Sequence, residues 1–152
     1  SMSSDDSLAA LRARLHLIPQ VRSMQADLVA DEEGRMRMAA PLAPNVNDKG
    51  NAFGGSLASL MTLAGWSLAT RRLEQAGLDA EVYVADSQIR YVAPLYGDLQ
   101  AEAWLEEGDW ETFVDTFRQR GRARCRIAAC IRLPEGGEAA TFSGRFVALA
   151  KG

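Results

Sequence analysis

The sequence predicts an α+β fold in which an antiparallel sheet of five to six strands wraps round one long central helix. Two observations predict it. Residues 56–76 form one helical segment that is apolar or small on nearly every face as far as residue 69, and a helix without a polar face has to be wrapped by other structure. Five or six further segments alternate apolar and polar residues with period two, as half-buried strands do.

Length and composition favour a single domain over residues 1–152. The chain is 47% hydrophobic and 24% charged, which is typical of a soluble protein large enough to bury a core. Its net charge of −3 gives no global attraction for nucleic acid or an anionic membrane. The longest apolar run, residues 57–69, is too short to span a bilayer. We therefore expect neither nucleic acid nor membrane as a partner.

The first twenty residues are assigned to a tag remnant and a helix, ahead of a core at residues 21–150. Ser1 before Met2 is typical of a cleaved expression tag. Asp5 and Asp6 stand where a signal peptide would carry basic residues, so we expect a cytoplasmic protein.

The remaining elements follow in order along the chain. Leucines share one face of a helix from residue 7 to 17, and Pro19 ends it. A second short helix starts at Trp110 and is closed by Gly121. Period-two alternation and turn residues predict the strands at residues 24–31, 35–38, 83–91, 99–106, 122–133 and 139–149.

The junction between a loop at residues 41–55 and the long helix is the best candidate site. Ser56 is predicted to cap the helix, and Gly77 to follow its end. A helix N-terminus presents unpaired N–H groups, and Gly54 and Gly55 carry no side chain to keep a ligand away from them. These amides would suit an oxyanion hole for a thioester carbonyl. The alternative is that the two glycines only make a tight turn.

A motif across this junction resembles the signature of a known superfamily. Residues 47–62 contain N-x-x-G-x-x-F-G-G-x-x-x-x-L-x-T, where hotdog-fold thioesterases usually carry N-x-x-G-x-x-H-G-G-x-x-x-x-L-x-D/E. The segment D-S-Q-I-R-Y-V-A-P at residues 86–94 resembles the next strand of that superfamily. The resemblance covers residues 20–150 and implies a hotdog fold and a substrate that is an acyl thioester of coenzyme A or acyl carrier protein.

Three shorter segments narrow the resemblance to one branch. P-L-A-P-N-V-N at residues 41–47, F-G-G-S-L at 53–57 and L-A-G-W at 63–66 are similar to thioesterase-like proteins that occur alone or fused behind an acetyltransferase. Some members of that branch are regarded as malonyl-acyl-carrier-protein decarboxylases, in the context of fatty acid biosynthesis.

Two positions depart from the superfamily pattern. Phe53 stands where many relatives have histidine, and Thr62 stands where the catalytic Asp or Glu is usual. Threonine cannot act as the carboxylate base or nucleophile of thioester hydrolysis. Asp48 and Asp86 are other candidate bases, and neither is at the expected position. The departures weaken hydrolysis and favour decarboxylation, which needs oxyanion donors rather than a nucleophile.

Asn47 matches the asparagine of the branch and suits a malonyl group. A neutral amide orients the substrate carboxylate without fixing it as a salt bridge would, and this carboxylate must lose its charge in the transition state. The alternative is that Asn47 only satisfies the backbone of its own loop.

Three arginines, Arg122, Arg124 and Arg126, share one face of a predicted strand. They form a local basic ridge that would suit a pantetheine phosphate or the acidic surface of acyl carrier protein. The alternative is a solvated strand face. We expect no metal and no cofactor, because Cys125 and Cys130 lack the spacing and neighbours of a metal site.

Three functions therefore stand side by side: malonyl-thioester decarboxylase, acyl-thioester hydrolase and non-catalytic acyl-thioester binding module. A single curled sheet leaves an exposed edge strand. The resemblance to hotdog proteins, which pair two sheets edge to edge, implies a two-fold homodimer, with or without further pairing into a tetramer, and residues 83–91 at its seam. The predicted catalytic residues are Asn47, Gly54 and Gly55, and the predicted substrate-binding residues are Phe53, Ser56, Thr62, Asp86, Ser87, Arg122 and Arg124.

Overall fold

The computed structural model of the protein describes residues 4–152, with side chains from residue 6 onward; the predicted tag remnant lies outside these residues. The helices are α1 (Ser4–Leu15), α2 (Pro19–Met24), α3 (Gly54–Gln75) and α4 (Trp110–Arg120). The strands are β1 (Asp27–Glu32), β2 (Arg35–Ala40), β3 (Ala80–Tyr91), β4 (Leu99–Leu105), β5 (Arg122–Arg132) and β6 (Glu138–Ala150).

The six strands form one sheet in the order β1-β2-β4-β5-β6-β3, and every neighbouring pair is antiparallel. The sheet wraps round α3, which contacts all strands except β1 closely. The predicted α+β fold with a long central helix is therefore confirmed. One consequence is that β3 lies at an edge of the sheet, with a partner strand on one side only.

The face of α3 that meets the sheet is fully buried, and one glycine sets how closely the two approach. Leu60, Met61 and Leu68 are inaccessible to solvent. A Cβ at Gly65 would lie only 2.6 Å from the ring of Phe146 on β6. Glycine is needed at this position because the ring occupies the volume of any side chain, so helix and sheet pack at short range.

The N-terminal region departs from the prediction at Pro19. This proline is the first residue of α2 and does not end the preceding helix, which stops at Leu15. Proline suits the first helical position, because its missing N–H would have no partner there anyway. α2 closes at Gln25 in the left-handed conformation, φ 56°, so β1 starts only at Asp27.

The C-terminal end of α3 is held by a buried ionic cluster. The Asp31 carboxylate on β1 accepts hydrogen bonds from Arg71 Nε at 2.9 Å and from Arg72 Nη1 and Nη2 at 2.8 Å each. Burial raises the pKa of Asp31, but hydrogen bonds and charge from Arg72 and Arg71 outweigh it, so its pKa is lowered. The cluster ties α3 to the first strand.

Gly77, just beyond α3, has the left-handed conformation expected of a residue that follows a helix, φ 76°. In residues 4–152, no helix combines the length and the hydropathy that a bilayer crossing requires.

Candidate active site

The long helix begins two residues earlier than predicted and has no side-chain cap. Phe53 is the N-cap residue, and its carbonyl accepts hydrogen bonds from the amides of Ser56 and Leu57. Ser56 therefore lies inside the first turn, buried, and does not cap the helix. The amides of Gly54 and Gly55 point out of the helix end and find no acceptor in the part of the chain that is described.

Two aromatic rings lie against the two glycines. A Cβ at Gly55 would overlap the Phe53 ring, and one at Gly54 would lie 3.3 Å from Tyr91 Cε1 on β3. The Tyr91 hydroxyl donates a hydrogen bond to the Gly54 carbonyl at 3.3 Å. A side chain at either position would therefore displace an exposed aromatic ring, so the two glycines allow the rings to approach the start of the helix closely. Phe53 remains 54% exposed and forms a rim of the site.

A concavity of about 450 Å³ opens at this helix end. Its walls come from α2, from the loop before α3 and from the first turns of α3. It is lined by Gln20, Ser23, Met24, Pro44, Asn45, Phe53, Gly55, Ser56 and Ser59. None of these side chains is charged, so an anion held here meets neutral groups and the positive end of the helix dipole.

Asn45 is the residue of this concavity that the sequence analysis missed. Its side chain is 2% exposed, and its Nδ2 donates to the carbonyls of Met24 at 2.9 Å and Pro41 at 2.7 Å. Its Oδ1 is buried and has no partner among the described residues. A buried acceptor without a partner is uncommon and points to a ligand or water. The sequence shows two asparagines, Asn45 and Asn47, in the same Pro-rich loop, but it does not indicate which of them faces inward.

Asn47 lies farther out on the loop. Its Oδ1 accepts from the amides of Lys49 at 2.8 Å and Asn51 at 3.2 Å, and its Nδ2 donates to Asn51 Oδ1 at 2.9 Å. The Phe53 amide bonds the Asn45 carbonyl, so two extended residues, about 7 Å, separate Asn47 from the helix end. Asn47 thus closes its own loop and keeps one side-chain N–H without a partner among the described residues.

Thr62 and the nearby acids supply no general base at the helix end. The Thr62 hydroxyl donates to the Ala58 carbonyl of its own helix at 2.8 Å. Asp48 is exposed and pairs with Lys49 at 3.0 Å. Burial raises the pKa of the Cys125 thiol to about 12, so it is not a nucleophile at neutral pH.

Asp86 and Ser87 lie in the middle of β3 and are exposed. Asp86 Oδ2 pairs with Arg145 Nη2 at 2.6 Å, and this hydrogen bond lowers the pKa of Asp86. Five residues of extended strand, about 17 Å, separate Asp86 from Tyr91 at the helix end. Within one chain the structure does not bring these two predicted residues to Gly54.

Arg122 and Arg124 lie on the outward face of β5, where they alternate with Ala123 and Cys125 on the core side. They belong to the opposite end of the molecule from the glycines. On the neighbouring helix α4, Arg118 Nη2 donates a hydrogen bond of 3.0 Å to the carbonyl of Ala76, which lies just beyond α3. Because α3 has 22 residues, its two ends are about 33 Å apart.

The curled sheet round a buried helix, with an open helix end at a Gly-Gly pair, defines a protein of the hotdog-fold thioesterase superfamily. Residues 8–150 match the model of the family described as "Putative thioesterase (yiiD_Cterm)", and the chain belongs to this family. The resemblance found in the sequence is thereby confirmed. Acyl thioesters are the substrates that the family description implies.

Solved structures agree with the fold over nearly the whole chain. A Chlorobaculum tepidum protein of unknown function is 25% identical with a TM-score of 0.92, and 99% of each chain is covered. A Shewanella oneidensis protein, described in the same terms as the family, is 28% identical with a TM-score of 0.86, covering 95% of this chain and 99% of that one. A thioesterase from Haemophilus influenzae is 14% identical with a TM-score of 0.73, covering 99% and 92%, and shows the fold alone.

Proposed function

We propose that the protein is a cytoplasmic enzyme that decarboxylates a malonyl thioester of acyl carrier protein or coenzyme A to the acetyl thioester. The observation that carries this proposal is the start of α3. The amides of Gly54 and Gly55 are uncapped there, and Gly55 lines a concavity that has no charged side chain. This arrangement can stabilise a developing oxyanion but offers no carboxylate or histidine, so no base activates the hydroxyls of Ser23, Ser56 and Ser59 as nucleophiles.

The reaction needs only what this helix end provides. The bond between the malonyl carboxylate and the methylene carbon breaks, carbon dioxide leaves, and the electron pair forms an enolate on the thioester oxygen. Hydrogen bonds from the amides of Gly54 and Gly55 and the helix dipole stabilise that negative charge. Protonation of the methylene carbon by solvent then gives the acetyl thioester.

Two asparagines are placed for different tasks. The free side-chain N–H of Asn47 is the donor that we assign to the malonyl carboxylate, in a loop whose hydrogen bonds fix the orientation of the amide. Both N–H groups of Asn45 are occupied, so Asn45 can only accept. We assign its free Oδ1 to a buried water, and Asn45 itself to holding the loop before α3 against α2. Phe53, Ser56 and Thr62 complete the substrate-binding surface.

Thioester hydrolysis is the second candidate, because the family and several solved relatives are described as thioesterases. It would need a base that one chain does not place at Gly54. A non-catalytic binding module is the third candidate, since it would keep the oxyanion hole and lose the chemistry.

We further propose that two copies pair through β3. This edge strand has twelve residues and leaves Tyr83, Val84 and Tyr91 exposed. Long exposed edges of this kind favour pairing with another chain. Two-fold antiparallel pairing would also bring Asp86 and Ser87 of both copies to the seam. Light scattering at micromolar concentration should give a dimer or tetramer, and a monomer would contradict the pairing.

The deciding experiment incubates the protein with malonyl-acyl carrier protein and separates acetyl-carrier from free-thiol carrier by mass spectrometry. We expect acetyl-carrier, lost in Asn47→Ala and in Asn45→Ala, with thermal unfolding checking that both variants fold. Free-thiol carrier instead would establish hydrolysis. Saturable binding of the carrier without either product would establish the binding module.

A further inference from the structure

A second concavity, of about 620 Å³, lies between α4 and the first half of β5. It exists because β4 pairs with β5 only from Ile127 to Ile131. Beyond that point α4 packs beside the strand in place of a neighbouring strand, and a groove remains between them. We call this concavity the α4 groove.

The basic side of the α4 groove is formed by Arg120, Arg122 and Arg124. Within residues 6–152, none of these three side chains has an ion-pair or hydrogen-bond partner. Other arginines of the same sheet face are already paired, such as Arg126 with Glu107 at 3.8 Å and Arg145 with Asp86. Three unpaired cations in one groove of a chain with net charge −3 are a local site for an anion.

The α4 groove is also lined by two acids that already have partners, Glu107 with Arg126 and Asp109 with Thr112, and by apolar side chains from both the helix and the sheet. Glu107 and Asp109 lie at the start of α4, where the Asp109 carboxylate accepts from the amide of Thr112 at 2.7 Å. Phe113, Val147 and Leu149 supply apolar lining, and Leu149 is 40% exposed. The three arginines without partners therefore set the charge that an occupant meets, so the occupant needs an acidic face for them and an apolar face for this lining.

An amphipathic acidic helix meets these requirements. The Cα atoms of Arg122 and Arg124 are about 7 Å apart on an extended strand. Carboxylates four positions apart on a helix are separated by a rise of about 6 Å. Two acids on one helix face can therefore pair with both arginines, while the apolar side of the helix covers Val147 and Leu149.

We propose that the α4 groove docks the acidic helical surface of the acyl carrier protein that brings the thioester; this inference rests on the proposed function. Arg124 lies beside Val147, which lies beside Tyr83, and eight residues of extended strand, about 26 Å, separate Tyr83 from Tyr91 at Gly54 of the same copy. That distance exceeds the length of an extended phosphopantetheine arm. A carrier docked there cannot serve the helix end of its own copy.

Two-fold pairing through β3 removes this difficulty. Ala80, where β3 begins, pairs with Ala150 next to the Arg122–Leu149 pair, whereas Tyr91, where β3 ends, contacts Gly54. Antiparallel pairing of two β3 strands puts the Ala80 end of one copy beside the Tyr91 end of the other. The carrier that docks on one copy therefore delivers its thioester to the helix end of the second copy.

The first test compares Arg122→Ala/Arg124→Ala with Arg37→Ala, an exposed arginine two strands away on the same sheet face. For the groove variant, the ratio of kcat/KM on malonyl-carrier to kcat/KM on malonyl-coenzyme A should fall about tenfold, through KM. The ratio for Arg37→Ala should stay within about twofold of the wild type. An unchanged ratio in the groove variant would overturn the proposal. If kcat/KM falls equally on both substrates, the ratio is also unchanged, and the arginines would be assigned to the pantetheine phosphate instead.

Carrier binding is measured separately by fluorescence anisotropy of labelled holo-carrier, so that the docking does not depend on turnover. Weaker binding by the groove variant in a protein without decarboxylase activity would retain the docking and reject the proposed reaction. Equal binding by the wild type and the groove variant would reject the docking alone.

The second test uses mixed dimers made by co-expressing the groove variant with Gly55→Ala. If docking serves the opposite copy, the intact groove of one chain supplies the intact helix end of the other, and mixed dimers regain about half the activity of the wild type on malonyl-carrier. If docking serves its own copy, kcat/KM of the mixed dimers on malonyl-carrier stays at or below that of the groove variant, about a tenth of the wild-type value, and delivery across the two-fold axis is wrong.

Discussion

The two ends of α3 contrast sharply. At the N-terminal end the first amides have no cap, the neighbouring side chains are neutral, and the aromatic rings against the glycines stay exposed. At the C-terminal end two arginines share one buried carboxylate, Asp31, and Gly77 closes the helix. Ion pairs thus hold the C-terminal end of the helix, whereas the N-terminal end leaves amides without partners among the described residues. Residues that maintain the fold are therefore separate from those available to a ligand.

The largest loss of stability is expected at the C-terminal end of α3. Asp31→Asn removes the buried carboxylate that Arg71 and Arg72 share, and should lower the free energy of unfolding by about 3 kcal/mol. Urea denaturation measures this loss. Asp48→Asn is the matched control, because its exposed pair with Lys49 should contribute less than about 0.5 kcal/mol.

The pH dependence of that loss sharpens the comparison. The pKa of Asp31 is lowered in the folded state, so its contribution is complete above the unfolded pKa of about 3.9 and is lost as the pH falls through the folded value. The difference between wild type and Asp31→Asn should therefore be constant from about pH 5 to 8 and shrink below about pH 4. A difference that does not change with pH would mean that the carboxylate charge is not what stabilises this end.

The second effect concerns the open end. Gly55→Ala puts a methyl group into the volume of the Phe53 ring and displaces the ring over the amides, so decarboxylation should fall about 100-fold. Thermal unfolding should shift little, because alanine is a better helix former than glycine. Gly97→Ala is the control, since its Cβ would meet only Pro134 at 3.7 Å. A large loss of stability in Gly55→Ala would show that this end, too, maintains the fold.

The smallest effect is expected at Thr62. Its hydroxyl already bonds the Ala58 carbonyl, so Thr62→Val should change kcat by less than about threefold and stability by less than about 1 kcal/mol. Steady-state kinetics on the malonyl thioester test this. A loss of 100-fold would instead make the Thr62 hydroxyl part of the chemistry.

The sequence predicted those parts of the fold that depend on local pattern. The period-two segments became β2 to β6, the apolar helix is wrapped as expected, and Gly121 ends α4. Pro19 was placed wrongly, because proline both ends helices and starts them, and the residues after it decide which. Ser56 was placed wrongly because the helix starts two residues earlier, at Gly54. Glycine is a poor helix former, so an argument from helix propensity assigns Gly54 and Gly55 to the loop.

The sequence predicted the kind of candidate site, an open helix end, but only some of the residues that line it. Gly54 and Gly55 follow from the motif, but the burial of Asn45 depends on carbonyls of Met24 and Pro41, which come from two other segments. The pairing of Asp31 with Arg71 joins residues 40 positions apart, and no local pattern indicates it. Long-range packing decides these contacts, and a single sequence carries no direct signal of it.

The contact between Gly65 and Phe146 links the packing of the core to the open N-terminal end of α3. Gly65 lies ten residues, about 15 Å, along the helix from Gly55, so no substrate touches it. Yet the thickness of the layer between helix and sheet is set there, and that thickness fixes how Tyr91 on the sheet meets Gly54 on the helix. The position of the two uncapped amides therefore depends on a packing contact that is remote from them.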